Sequence, residues 1–183
     1  MKLKLFVGIA LIALSGPVQA DKVDANNIIQ SLAPITYLPE HGGKPKRAID
    51  LAVTFRSGSA NLTATARQIL DQLGHALQSA QLKASRFEVA GHTDASGSQQ
   101  LNKALSYKRA KAVVRYLVKR FRVDASRLNA IGKGEDELRD PLNPTARINR
   151  RVEIINLTPV QPDTIHTKQI PSSKTANDVL LGK

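Results

Sequence analysis

The chain has 183 residues, 42% of them hydrophobic and only 4% aromatic, with no Trp and no Cys. That length suits one domain of ordinary size with tails, and its core must be made of Leu, Val, Ile and Ala. The missing cysteine excludes disulfides, Cys-ligated zinc, a thiol nucleophile and a lipid anchor on an N-terminal cysteine, while the net charge of +12 points to an anionic partner or surface.

Lys2 and Lys4 precede an unbroken apolar run, Leu5 to Leu14, which Ser15, Gly16 and Pro17 end; Val18 and Ala20 then stand at the −3 and −1 positions of a cleavage site. The run is half the length of a membrane-spanning helix, which needs about 20 apolar residues. The pattern predicts a secretory signal over residues 1–20, cleaved after Ala20. The mature chain would start at Asp21, lie in the periplasm and carry no transmembrane segment. An exported basic protein meets anionic wall polymer and lipid head groups, so nucleic acid is not the expected partner.

Residues 21–47 read as a leader and linker. Asp24 is placed to cap a short helix through Asn26–Leu32, with Ile28, Ile29 and Leu32 on one side. Pro34, Pro39, Gly42, Gly43 and Pro45 then forbid regular structure. Ile49 to Phe55 alternates as a strand. Thr63 is a candidate N-cap, and Ala66, Ile69, Leu70, Leu73, Ala76 and Leu77 recur at helical spacing, predicting a helix over Ala64–Ser79. Arg86 to Ala90 is a second strand, followed by a Gly-, Ser- and Asp-rich turn over His92–Ser98. Gln99 to Phe121 is a long helix without Gly or Pro. Arg127 to Ile131 is a third strand, Gly132 to Thr145 a loop, and Arg151 to Leu157 the last strand. The tail, residues 158–183, is polar and proline-containing and is expected to be disordered. Both flanks lack the apolar periodicity needed to join a core, so residues 48–157 are expected to fold alone. Strands alternating with helices imply an α+β domain with some parallel pairing and helices packed on the sheet.

On a helical wheel, Leu101, Leu105, Ala112, Val113, Tyr116 and Leu117 form an apolar arc, opposite Lys103, Tyr107, Lys108, Lys111 and Arg115. Asn102 and Arg109, seven residues apart, align near the middle of that arc. A guanidinium there needs a partner, because an unpaired charge in low dielectric is costly. It can snorkel, pair with a protein carboxylate, or hold a ligand carboxylate in its fork. Asp94, in the turn before the helix, is the nearest candidate carboxylate, and a simple Asp94–Arg109 bridge is one outcome.

The elements Gly91-His92-Thr93-Asp94, Gly97, Asn102, Leu105-Ser106, Arg109-Ala110, Gly132, Gly134-Glu135 and Asn149-Arg150-Arg151-Val152-Glu153, in that order, closely resemble the OmpA-like peptidoglycan-binding domain. The resemblance spans Ile49 to Leu157. It implies a βαβαβ sandwich with a mixed sheet and helices on one face. It also implies binding to the meso-diaminopimelate of the wall's peptide stem, in association with the Gram-negative outer membrane. In the family pattern the aspartate at position 94 takes the diaminopimelate ammonium and the arginine at position 109 its carboxylate, with further contacts from Asn102 and Arg150. Many members carry an acidic residue where this chain has Arg56, so no contact is carried over from that turn.

No catalytic motif stands out. His41, His75, His92 and His166 are scattered without ligand spacing, and no nucleophile elbow is present. Hence no enzyme activity, metal or cofactor is expected, and His92 reads as a structural residue at a strand end. The function expected is non-catalytic binding of peptidoglycan, anchoring an envelope component at the wall, with other envelope proteins as further partners. The alternative is a basic envelope adaptor that works by protein–protein or anionic-surface contact, since Arg115, Lys119, Arg120 and Arg122 cluster at the end of the long helix, where cations also complement its dipole.

Overall fold

The computed structural model describes residues 23–33, 47–56 and 58–158. The expected signal, most of the linker and nearly all of the tail lie outside the described residues. The elements in chain order are α1 (Ala25–Leu32), β1 (Ala48–Leu51), α2 (Ala64–Gln78), β2 (Phe87–His92), α3 (Gln99–Phe121), β3 (Leu128–Gly134) and β4 (Val152–Asn156). Short 3-10 turns cover Ala125–Arg127 and Arg147–Asn149. The sheet order is β1-β4-β2-β3. β2 and β3 run parallel, while β4 is antiparallel to both β1 and β2. The mixed sheet and its helices match the α+β fold expected from the sequence.

Local chemistry sets the helix starts. Asp24 accepts from the Asn27 amide at 2.9 Å and Thr63 from the Ala66 amide at 3.1 Å, each satisfying an N–H that the helix leaves unpaired. Ser98 caps α3 in the same way through the Leu101 amide. The core joins Phe87 and Val89 of β2 and Val152 and Ile154 of β4 to Leu70, Leu73 and Leu77 of α2 and Val113 and Leu117 of α3.

Four expectations are revised. The leader helix belongs to the core: Ile28 and Leu32 of α1 are fully buried, and Asn156 Nδ2 donates to the Leu32 carbonyl at 2.8 Å. Two or three apolar residues on one side of an eight-residue helix were enough to dock it. The first strand is shorter than predicted. The Val53 amide donates to the Leu51 carbonyl at 2.7 Å, which turns the chain out of the ladder, and Phe55 keeps only an isolated bridge to Leu62. β3 is longer than predicted, because Gly132 lies in the strand rather than starting a loop. A Cβ on Gly132 would stand 2.6 Å from the Tyr107 nitrogen, and one on Gly91 only 2.2 Å from the Ser106 carbonyl oxygen. These glycines let two strands run directly against the α3 backbone. Finally, Leu101 is 70% exposed, and the buried face of α3 begins instead with Asn102 and Ser106.

Candidate functional site

The close contact of α3 with β2 and β3 brings Asn102 and Arg109 to the end of β2, where the chain continues into Thr93 and Asp94. Three tethers hold this turn. The Thr93 amide donates to the Gly134 carbonyl at 2.8 Å, the Ala95 amide to the Pro144 carbonyl at 3.0 Å, and Asn102 Nδ2 to the Asp94 carbonyl at 3.2 Å. Asn102 Nδ2 also donates to Glu135 at 2.5 Å. Asn102 is buried, and in this arrangement its amide braces the turn from inside.

Arg109 is buried midway along α3. Its Nε donates to the Ser59 carbonyl at 3.1 Å, and its guanidinium carbon lies 5.0 Å from the centre of the Phe55 ring. That distance is within the range of a cation–π contact. The kink after β1 that shortened the first strand is what leaves Phe55 available for this. Burial pulls the guanidinium pKa down, the Asp94 charge pulls it back up, and Arg150 lowers it again. Arginine nevertheless stays charged at any physiological pH.

Asp94 does not bridge Arg109. Its ion pair is with Arg150, Nη1 to Oδ2 at 2.5 Å, and its Oδ1 accepts from the Ser96 amide at 3.2 Å. Burial alone would raise the Asp94 carboxyl, but the hydrogen bonds from Arg150 and Ser96 outweigh it and hold the pKa below the ordinary carboxylate value. Of the four residues singled out in the sequence, the structure thus joins Asp94, Asn102 and Arg150 by direct hydrogen bonds, with Arg109 coupled to Asp94 and Arg150 through charge.

A pocket of about 240 Å³ opens beside them, lined by residues that include Thr54, Phe55, His92, Arg109, Arg147 and Arg150. Asp94 and Asn102 are not in its lining; Asp94 connects to it through Arg150. The loop that carries Arg147 and Arg150 is shaped by buried Asn149. Its Oδ1 accepts from the Asp140 amide at 2.8 Å, and its Nδ2 donates to the Asn143 and Pro144 carbonyls, each at 3.0 Å. The sequence reading missed Phe55, the Ser59 carbonyl and Arg147. Phe55 reads there as the end of a strand, and a backbone carbonyl leaves no sequence signal.

A family model described as the OmpA family matches residues 54–154, more than half of the chain. The chain belongs to the OmpA family. Outer membrane protein A of Klebsiella aerogenes is 40% identical over 85 residues, covering 46% of this chain and 24% of that protein. Outer membrane protein P5 of Haemophilus influenzae is 36% identical over 106 residues, covering 58% of this chain and 29% of that protein. The match therefore spans only about a quarter of these relatives' own length. Among solved structures, the OmpA-like domain of FopA1 from Francisella tularensis superposes with a TM-score of 0.52 at 22% identity, covering 59% of this chain and 70% of that one. The periplasmic domain of Helicobacter pylori MotB gives 0.52 at 19%, covering 60% and 80%. At that identity the likeness is one of fold. Among the described residues, no helix is long and apolar enough to cross a membrane.

Proposed function

We propose that this OmpA-family domain binds peptidoglycan without chemically altering it, through the meso-diaminopimelate of the peptide stem, and so holds an envelope component at the wall. The observation that carries this reading is Arg109. It is a buried guanidinium whose Nε is fixed by Ser59 and whose face rests on Phe55, with no carboxylate among the described residues in direct contact, beside an open pocket. Such a group is incomplete without an anion. The free end of diaminopimelate carries an ammonium and a carboxylate on one carbon. Its carboxylate would complete Arg109, and its ammonium would take Asp94, displacing Arg150 from that carboxylate toward the ligand. Asn102 acts by positioning the turn. The export signal read in residues 1–20 fits a periplasmic site of action.

The test compares two walls. Peptidoglycan with lysine in place of diaminopimelate keeps the ammonium but lacks the adjoining carboxylate. Co-sedimentation with the diaminopimelate-type wall and loss with the lysine-type wall is the expected result; equal binding to both would overturn the role given to Arg109.

One feature favours a second reading, adhesion to an anionic surface. A groove between α2 and α3 is rimmed by Arg67, Arg115, Lys119 and Arg120. Salt separates the two. Binding through these exposed cations fades within moderate ionic strength, whereas a buried zwitterion site is screened much less.

A further inference from the structure

His92 ends β2 with 1% of its surface exposed, and among the described residues neither ring nitrogen has a hydrogen-bond partner. A neutral imidazole carries one donor and one acceptor, and burying both unmet is costly. Glu153 of β4, also buried, stands with Oε2 3.5 Å from His92 Nε2. Glu137, in the turn after β3, brings a third group, so that one ligand atom from each of the three lies within 4.8 Å of the others. The 3.5 Å separation is too long for a charge-assisted hydrogen bond, which spans about 2.7–2.9 Å. It is close to the roughly 3.4 Å between two ligands of a tetrahedral zinc ion whose bonds are near 2.1 Å.

We propose that His92, Glu153 and Glu137 form a divalent-cation site of the zinc type, with water completing the coordination. The donor set suits it: an imidazole and two carboxylates are common zinc ligands. Metal binding needs the neutral imidazole; burial first, and Arg151 second, lower the His92 pKa against the opposing pull of Glu153, Glu137 and Asp50. Exposed Glu137 provides the way in from solvent.

Lys133 and Arg151 compete with the metal. Lys133 Nζ holds Glu137 Oε1 at 2.7 Å, and the metal must take that carboxylate from it. The pair is partly exposed and of the kind that contributes little. Arg151 donates to the Glu137 carbonyl and to Asp50. It stays in place, and its positive charge weakens cation binding there. The bound ion would clamp the end of β2 to β4 and to the turn after β3. These are the strands whose ends carry Asp94 and Arg150. The site rests on its own ligands and does not depend on the peptidoglycan reading.

The test uses the metal-stripped mature protein, without peptidoglycan. Zn²⁺ titrated by calorimetry should bind one site with micromolar affinity, and Co²⁺ should give the visible absorption of tetrahedral coordination. Glu137→Gln, at an exposed position, should weaken Zn²⁺ binding by about tenfold or more and leave the metal-free melting temperature unchanged. Lys133→Ala should tighten binding by releasing Glu137. Replacing His41, His75 and His166 together with Gln should leave the site intact. No saturable binding at high-micromolar Zn²⁺, or equal binding by wild type and Glu137→Gln, would overturn the proposal.

Discussion

Replacing Arg109 with Ala is the sharpest perturbation of the site, because its effects on binding and on stability separate. In the free protein, among the described residues, the guanidinium makes one hydrogen bond, to the Ser59 carbonyl, and one ring contact, with Phe55. Losing them costs about 1 kcal/mol for the bond and about 0.5–2 kcal/mol for the ring contact. Removing a charge held in a buried position returns desolvation energy of the opposite sign. The net change in folding stability is therefore about 1 kcal/mol or less. Binding has no such offset. The ligand carboxylate would enter the pocket with nothing to pair with, at a cost of about 2–5 kcal/mol. That is roughly 30-fold or more in affinity, enough to abolish co-sedimentation of a micromolar complex. The assay is co-sedimentation with diaminopimelate-type peptidoglycan alongside a thermal melt. Lys111→Ala, an exposed change on the same helix, serves as the control and should bind as wild type does. In the Arg109→Ala protein, the preference for diaminopimelate over lysine in the stem should also vanish. Wild-type binding by the variant, or equal loss in the control, would refute the reasoning.

Asp94 gives a pH dependence. Its folded-state pKa lies below the unfolded value of about 3.9, so it contributes stability that is present above that pH and lost as the pH falls through the lower folded value. Asp94→Asn removes this contribution, so below about pH 4 its stability should fall less steeply with falling pH than that of the wild type, and parallel acid limbs would refute it. Gly91→Ala would drive a Cβ to 2.2 Å from the Ser106 carbonyl; a loss of about 1–3 kcal/mol in denaturant unfolding is expected, and an unchanged midpoint would mean that β2 and α3 can part cheaply. Deleting residues 21–33 removes buried Ile28 and Leu32, worth about 1.5–3 kcal/mol each, so residues 34–183 should melt markedly lower than residues 21–183.

Much of the fold was legible because its signals are local. The caps Asp24 and Thr63, the periodicity of α2 and the unbroken α3 are all readable within one helix length. What escaped depends on contacts between distant segments. Gly132 reads as a loop opener, yet the strand continues through it because the α3 backbone lies too close for any side chain. Leu101 sits on the apolar arc of an isolated wheel, but the start of α3 meets β3 through Asn102 and Lys103, beside Gly134, and Leu101 is left 70% exposed. The leader helix carried its apolar pair in plain view. The prolines after it suggested a tether, and proline content says nothing about whether a preceding helix docks.

The site shows the same division. Arg109 and Asn102 stood out because polar groups interrupt an apolar face, which is a one-dimensional signal. The partner of Asp94 did not, because the Asp94–Arg150 pair depends on how Asn149 folds a loop some fifty residues away in sequence. That pairing makes the two arginines unequal. Arg109 is buried and held at its Nε and ring face, so it is set in place before any ligand arrives. The Arg150 side chain is 43% exposed, against 11% for Asp94, so the arginine end of the pair is screened by water and the pair is worth about 1 kcal/mol. A ligand ammonium can therefore replace Arg150 on Asp94 at small cost. If Arg150 then reaches the ligand carboxylate, it does so as a solvent-screened second contact. Arg150→Ala should weaken peptidoglycan binding by about 1 kcal/mol, roughly fivefold, where Arg109→Ala abolishes it. Measuring both affinities by fluorescence titration with a diaminopimelate stem peptide checks the order, and a larger loss for Arg150→Ala than for Arg109→Ala would reverse the roles assigned to them.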